Sequence, residues 1–412
     1  MTTQGLLLLI LLIIFVQLVV YAGVAFFRYW LSYQALKAEV GVADTQPEPI
    51  PESVSSPLAW EGWREFRVVR REYEDVAGHV CSFYLAPADG KPLPAYLPGQ
   101  FLTFRLDVAD PAGGGSKVIV RCYSLSDRPA ADHYRISVKR VPAASPGLPA
   151  GLSSNHCHDH VRAGDILAVK APSGHFHLDV NGDGPVVLVA GGIGITPIYS
   201  MLSAALAMRP EREIQLFYGV RDGSEMVMRG QIDELARRHA NLRLHVCFSR
   251  PGPDDVPGQD YRHEGRVDIG RLRLELGLKP YHFYICGPAP MMETLVPALA
   301  DWGVPEVRIH YEAFGPATVT RRAQAPEAGP ALAVTFKQSG RRLDWQAGSL
   351  LELAEAGGVQ VESGCRSGCC GACQTTIVSG EVAYGQAPEF DVEPGSCLLC
   401  LAKPRTDLVL AA

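Results

Sequence analysis

Six of the 11 cysteines in this 412-residue sequence fall between Cys365 and Cys400. In CRSGCCGACQ (365–374), four residues separate Cys365 from Cys370 and two separate Cys370 from Cys373; Cys400 follows after 26 more. Thiols this close bind iron or zinc. The four-then-two spacing with one distant thiol is that of a [2Fe-2S] cluster. Tetrahedral zinc more often takes two CxxC pairs. CLLC (397–400) offers such a second pair beside Cys370 and Cys373, so zinc stands as the alternative. Gly364, Gly368 and Gly371 favour the cluster, because glycine lets a backbone wrap an inorganic core and aim N–H groups at sulfur. Cys369 and Cys397 have no place in the spacing and read as small buried or half-exposed thiols. Cys81, Cys122, Cys157, Cys247 and Cys286 are scattered. An odd total, mostly unclustered, makes a poor disulfide framework and points to a reducing compartment.

Three other segments carry residues suited to cofactor chemistry. In RCYSLSD (121–127), Arg121 can fork onto a phosphate, Tyr123 can cover a flavin ring and Ser124 can bond its polar edge. Taken alone, the segment reads better as a strand with mixed faces. AGGIGITP (190–197) follows an apolar strand and precedes a helix with Pro197 near its first turn. Its glycines would let a pyrophosphate approach the helix N-terminus. It lacks the GxGxxG fingerprint, and alone it is a weak signal. His156, His158 and His160 suggest a metal, but residues two apart do not share a helical face.

The elements that must position these residues fall into modules. The length allows two to four domains. With 47% hydrophobic and 20% charged residues, the chain is ordinary globular material. Its net charge of −6 disfavours nonspecific nucleic-acid binding. Gly5 to Phe27 carries no charge and is long enough to span a bilayer. Arg28, Tyr29 and Trp30 suit the interface. A cleaved signal peptide would begin with basic residues, which MTTQG lacks, so residues 1–36 are expected to be a retained transmembrane anchor. Arg28 and Lys37 follow the span, which places the bulk of the chain on the cytoplasmic side of the inner membrane. Residues 37–62, rich in Pro, Ser and Glu at 43–58, form a linker.

Residues 63–180 have short strand-like runs, such as FLTFRL and YRISVKR, broken by Gly/Pro turns. They predict an antiparallel β-barrel. Residues 181–316 alternate apolar strands with helical stretches, which predicts a parallel α/β sheet. Residues 317–331 are a second linker. Residues 332–412 open with a strand, continue into an amphipathic helix from near Ser349 to Gly357 or Gly358, and end in the cysteine segment, an α+β pattern.

In order and spacing, these motifs resemble the ferredoxin–NADP reductase superfamily fused to a plant-type ferredoxin. CRSGCCGAC with GSCLLCLAKP fits the ferredoxin binding loop and last ligand, and implies a β-grasp fold for residues 332–412 and a cluster on Cys365, Cys370, Cys373 and Cys400. RCYS resembles the RxYS flavin motif and implies flavin contacts from Arg121, Tyr123 and Ser124. GLSSNHCHDHVRAGD (151–165) resembles the second flavin-phosphate segment. There Gly151, Ser153 and Ser154 would open a helix facing a pyrophosphate, which favours FAD over FMN. AGGIGITP and YICGPAPMM (284–292) resemble the nicotinamide-dinucleotide segments. They imply contacts from Gly191, Gly192, Gly194 and Thr196 and from Cys286, Gly287 and Pro288. IHYEAFGP (309–316) resembles the terminal segment, where Glu312 and Phe314 approach the flavin ring. Ser249 and Arg250 suit either nucleotide, with NADH preferred to NADPH. The resemblance covers nearly everything after residue 63. It implies a membrane-anchored NAD(P)H-dependent reductase serving a partner oxygenase, hydroxylase or desaturase. Direct reduction of a quinone or ferric chelate, or a redox-sensing or assembly role, are the alternatives.

Overall fold

From Phe104 on, FLTFRLDVA alternates: Phe104, Leu106 and Val108 are buried while Arg105, Asp107 and Ala109 face solvent, and Phe101, Leu102 and Thr103 before them are all buried. That period of two makes one face of a sheet apolar. In the computed structural model this strand, β3 (Phe101–Ala109), joins β1 (Arg64–Tyr73), β2 (Val80–Pro87), β4 (Ser116–Ser124), β5 (Tyr134–Lys139) and β6 (Ile166–Ser173). The sheet order is β4-β3-β6-β1-β2-β5, antiparallel throughout. The outer strands meet where Leu125 bridges Ile136 and the Ser126 amide donates to the Arg135 carbonyl at 2.8 Å. The sheet therefore closes into the expected barrel around Phe66, Phe83, Phe104 and Leu125. Burying each such side chain stabilises the fold by about 1.5–3 kcal/mol. Helix α1 (Leu152–His160) packs at one end.

The structure describes residues 12–17, 19–21, 23–24, 26–28, 30–31, 59–109, 114–143, 150–314, 332–359, 361, 363, 368, 370–385, 388, 390 and 392–412. They fall into two units, Met1–Ser56 with Arg273–Pro280 and Pro57–Leu272 with Tyr281–Ala412. In the first, the described residues between Leu12 and Leu31 are helical and their large apolar side chains are exposed. No helix among the described residues is long and apolar enough to cross a membrane. The expected span at 5–27 lies partly outside the described residues, as do most of the first linker and all of the second.

In the second unit, runs such as VVLVAG are buried at every position, as strands covered on both faces must be. Strands β7 (Val186–Gly191), β8 (Ile214–Val220), β9 (Leu242–Phe248), β10 (His263–Glu264), β11 (His282–Gly287) and β12 (Ile309–Ala313) form a parallel sheet of order β10-β9-β8-β7-β11-β12. Helices α2 (Ile195–Met208), α3 (Arg229–Arg238), α4 (Ile269–Glu275) and α5 (Ala289–Asp301) connect them. Twelve of the fourteen residues of α2 are buried. The chain leaves β7 toward β8 on one side, and β11 is inserted on the other. Ligands of such sheets bind in the crevice beyond the strand C-termini at this reversal. Here that crevice lies at Gly191 and Gly287.

The last domain has a mixed sheet of order β14-β13-β19-β15-β17, with a separate β16–β18 pair. Its strands are β13 (Leu332–Phe336), β14 (Arg341–Trp345), β15 (Gln374–Ser379), β16 (Val382–Tyr384), β17 (Ser396–Leu398), β18 (Ala402–Pro404) and β19 (Leu408–Leu410). Helix α6 (Leu350–Ala356) starts where the sequence predicts. Ser349 accepts from the Glu352 amide at 3.2 Å, and Glu352 accepts from the Ser349 amide at 2.8 Å. This reciprocal cap satisfies two donors that a helix start leaves open.

Candidate cofactor sites

The flavin motif ends strand β4 and meets helix α1. The Tyr123 and Ser153 hydroxyls share a hydrogen bond of 2.6 Å, joining the two segments predicted to hold flavin. The Tyr123 ring stands edge-on to Phe104 at 5.7 Å. Burial, then the nearby Cys157, pushes the Tyr123 phenol well above its ordinary value. Burial likewise pushes the Cys157 thiol up to about 12. Both side chains therefore keep their protons at neutral pH and form a neutral patch of wall within reach of the Arg121 charge. Arg121 lies two residues before Tyr123, its guanidinium donating to the Val120 carbonyl at 2.7 Å. Gly151 caps α1 without a side chain, which leaves first-turn amides for an anion. Ser154 Oγ donates to the Gly151 carbonyl at 3.1 Å and accepts from the Val141 amide at 3.2 Å, fixing that turn. Among the three histidines, His158 turns inward to the Val138 carbonyl at 2.8 Å while the His156 and His160 rings lie 5.2 Å apart.

Three distant segments converge beside this wall. Ser124 Oγ donates to Glu312 Oε2 at 3.4 Å across 188 positions of sequence. Glu312, 6% exposed, is paired in register with Cys286 on the adjacent parallel strand. Phe314, just beyond β12, packs partly buried against the α/β core. Strand β4 and the paired strands β11 and β12 thus meet at one junction.

The Gly-rich turn follows β7 as a 3-10 turn, Gly192–Gly194, that runs into α2. Gly194 has no room for a side chain: a Cβ would sit 2.1 Å from the Cys286 carbonyl oxygen and 2.8 Å from the Gly287 amide nitrogen. A Cβ at Gly192 would meet nothing within 4 Å. The turn thus presses against the end of β11 and opens on its other side, a shape that suits a dinucleotide phosphate. Thr196 Oγ1 donates to the Ile193 carbonyl at 3.0 Å. Gly287 closes β11, and Pro288 caps α5. Ser249 and Arg250 follow β9 and are exposed. Their amides donate to the Val220 and Arg221 carbonyls at 3.0 and 2.8 Å.

The cysteines gather at one end of the β15–β17 ladder. Gln374 pairs with Leu398, and the Leu399 amide donates to the Cys373 carbonyl at 3.2 Å, so Cys373 and Cys400 flank the same strand end. The Ala372 amide donates to Cys370 Sγ at 3.5 Å. Gly371 has φ +70, and a Cβ there would lie 2.3 Å from the Phe390 ring. Buried thiols with an amide aimed at sulfur fit an iron–sulfur core. Burial, then Cys373, pushes the Cys397 thiol up to about 12, which suits its reading as a structural residue. Cys365, Cys369 and Gly364 lie outside the described residues.

Sequence reasoning missed the residues that join the first two domains. Arg135, Ser126, Tyr199 and Met228, all buried, form one joint with the half-buried Asp127. The signal was a single arginine inside the otherwise core-forming strand YRISVK, where every residue but the last is buried.

Fold and sites together define an NAD(P)H-dependent flavin and iron–sulfur oxidoreductase, with FAD, NAD(H) and [2Fe-2S] as its cofactors. Residues 188–296 match the oxidoreductase NAD-binding domain family, and residues 334–405 match the 2Fe-2S iron-sulfur cluster binding domain family. The chain is 36% identical over 288 residues to a flavohemoprotein of Halalkalibacterium halodurans, covering 70% of this chain and 68% of that protein. The flavohem-like FAD/NAD binding domain of nitric oxide dioxygenase from Vibrio cholerae is 32% identical, with a TM-score of 0.54, covering 62% of this chain and all of that domain. Phthalate dioxygenase reductase, a modular structure for electron transfer from pyridine nucleotides to [2Fe-2S], is 28% identical with a TM-score of 0.51, covering 85% and 98%. The chain belongs to the family of FAD/NAD-binding reductases to which flavohemoproteins contribute, and it joins that reductase to a [2Fe-2S] domain. It spans 68% and 61% of the length of two of the flavohemoproteins it matches.

Proposed function

We propose that this chain is a membrane-anchored reductase that passes electrons from NAD(P)H through FAD and [2Fe-2S] to a partner oxygenase, hydroxylase or desaturase. The observation that carries it is the junction of Ser124, Glu312 and Cys286 in a chain that also holds a cysteine ladder. Bound flavin supplies the conversion of a two-electron hydride into single electrons, and a bound cluster stores one electron at a time. The chain's own residues supply position. Arg121, Tyr123 and Ser124 hold the flavin, with Gly151, Ser153 and Ser154 at its phosphates. Gly191, Gly192, Gly194, Thr196, Gly287 and Pro288 hold the dinucleotide. Cys286, Glu312 and Phe314 border the hydride contact, which buried walls keep from water. Cys365, Cys370, Cys373 and Cys400 hold the cluster. The similarity to phthalate dioxygenase reductase along most of both chains supports this electron order and an oxygenase-type partner.

Anaerobic stopped-flow mixing with NADH and with NADPH tests it, with flavin and cluster absorbance read separately. Flavin bleaching followed by cluster bleaching is expected. A cluster that stays oxidised beside reduced flavin defeats the proposed order.

The anchor rests on the exposed Leu12, Phe15, Val20, Phe26 and Phe27 of the N-terminal helical residues. Side chains of this size repay transfer into hydrocarbon. With Arg28 and Lys37 following, the catalytic domains lie on the cytoplasmic face. Removing residues 1–36 is expected to move the protein from the membrane pellet to the soluble fraction with NADH reduction of the flavin unchanged. Full-length protein recovered in the soluble fraction would refute the anchor.

A further inference from the structure

The barrel and the α/β domain meet around one buried cation. Arg135 on β5 is 2% exposed. Its Nη1 lies 3.6 Å from Asp127 and 3.8 Å from Glu74. Its Nε donates to Ser126 Oγ at 3.2 Å, and its Nη2 donates to the Ser126 carbonyl. These partners all belong to the barrel. From the α/β domain, Met228 Sδ lies 3.7 Å from Nη2, and the Tyr199 ring centre lies 5.3 Å from the guanidinium carbon. Burial opposes the charge, but Asp127 and Glu74 outweigh it and raise the guanidinium pKa. The cation therefore stays charged at any working pH.

Neighbouring bonds tighten the same joint. Ser200 Oγ donates to the Asp127 carbonyl at 2.5 Å, and the Tyr96 hydroxyl donates to the same oxygen. The Met228 amide donates to the Glu74 carbonyl at 3.3 Å. Met228 has φ 58 and is the only non-glycine residue with positive φ among the described residues. Such a conformation persists only where surrounding contacts hold it.

The connectivity gives the joint its meaning. Ser126 and Asp127 lie two and three residues beyond Ser124. Tyr199 and Ser200 lie three and four residues beyond Thr196, on the helix that the Gly-rich turn starts. The joint thus ties the end of the flavin strand to the dinucleotide helix, while Arg135 itself is not among the residues proposed to touch either cofactor. We propose that Arg135 is a positioning residue that fixes the flavin strand against the nicotinamide strands for hydride transfer. This rests on the reading that Ser124, Glu312 and Cys286 border the flavin–nicotinamide contact. With both cofactors bound, that alignment would let the C–H bond of the reduced nicotinamide break as a bond to the flavin forms, the nicotinamide being oxidised and the flavin taking up the hydride's two electrons.

The test uses full-length holoprotein carrying Arg135→Leu, Arg135→Lys or Glu74→Gln. Anaerobic stopped-flow at varied NADH gives the limiting rate of flavin reduction and the apparent affinity, with NADH deuterated at the transferred position as a second readout. For Arg135→Leu the limiting rate is expected to fall about 10- to 100-fold, as small misplacements of reacting atoms do. Apparent NADH affinity is expected to change less than about threefold, because ground-state binding is not what the joint supplies. The isotope effect should rise, and Arg135→Lys should recover part of the rate. In the same holoprotein, amide hydrogen exchange at Ser200 and Met228 should quicken in Arg135→Leu. A purely structural role would lower flavin content or melting temperature while each remaining flavin is reduced at the wild-type rate, and that result overturns the proposal. Should Arg135→Leu fail to fold, Glu74→Gln removes one charge without opening a cavity, and a wild-type limiting rate there overturns it equally. A wild-type protein reduced by neither nucleotide would sink the underlying reading and the proposal with it, whereas a reducible wild type matched by Arg135→Leu sinks the proposal alone.

Discussion

Cys370→Ser is expected to yield a protein that keeps its flavin and loses its iron and acid-labile sulfide. Cys370 is buried, with the Ala372 amide directed at its sulfur, and it precedes the left-handed Gly371 that turns the backbone around the site. A serine oxygen is harder and sits closer to the backbone than the sulfur it replaces, and soft thiolates are what iron–sulfur clusters select. Among the described residues the ferredoxin-type domain has its own apolar core around Val334, Phe336, Leu350 and Leu398, distinct from the barrel and α/β cores. Losing the cluster therefore loosens that domain, which metal ligation helps to fold, without disturbing the flavin junction. NADH should bleach the flavin at the wild-type rate, while reduction of a one-electron protein acceptor through the cluster falls about 100-fold or more, because the stored electron has no site from which to leave. Visible absorbance, electron paramagnetic resonance and iron analysis of the purified variant check this. A cluster that survives would make the adjacent Cys369 the ligand. Zinc in the wild-type protein would remove the cluster from the mechanism altogether.

Local chemistry made much of this molecule legible. The strand-like run FLTFRL, the apolar run VVLVAG and the helix start near Ser349 each state their local structure, and each forms as expected. The flavin and nicotinamide segments were legible for another reason: each is a weak signal alone, and only their shared order and spacing along the chain carry the resemblance. What sequence reasoning did not reach is how distant segments pair. Nothing local in RCYSLSD says that Tyr123 will bond Ser153, thirty residues on, or that Ser124 will face Glu312 across 188 positions. Arg135 is the clearest case. An arginine in a strand reads as a solvent-facing charge, because burying a cation is unfavourable unless partners surround it. Its partners Glu74, Asp127, Tyr199 and Met228 come from four separate stretches of chain, and only the closed barrel and its neighbour bring them together.

Gly194→Ala tests how closely the dinucleotide turn must approach the strand beside it. Gly194 has φ −59, an ordinary helical value, so alanine meets no backbone strain there. The obstacle is space. The new methyl would lie 2.1 Å from the Cys286 carbonyl oxygen and 2.4 Å from its carbon, atoms of a central strand that no side-chain rotation can move. Overpacking of this kind costs about 1–3 kcal/mol. Relieving it pushes the turn off β11, away from Cys286 and Gly287. Gly192→Ala is the counterpart: φ is +53, so the backbone cost is about 1–2 kcal/mol, but a Cβ there enters open space. That space is where a dinucleotide phosphate is expected. The two variants should therefore separate. Gly194→Ala should lower both the stability of the α/β domain in urea and the limiting rate of flavin reduction, the latter by about tenfold or more as the reacting atoms lose alignment. Gly192→Ala should leave the limiting rate nearly intact and weaken NADH affinity, seen as a rightward shift of the concentration dependence. If Gly194→Ala matched the wild type in both measurements, the turn would not press on β11 as described. If Gly192→Ala bound NADH normally, the open side of the turn would not be where the dinucleotide lies.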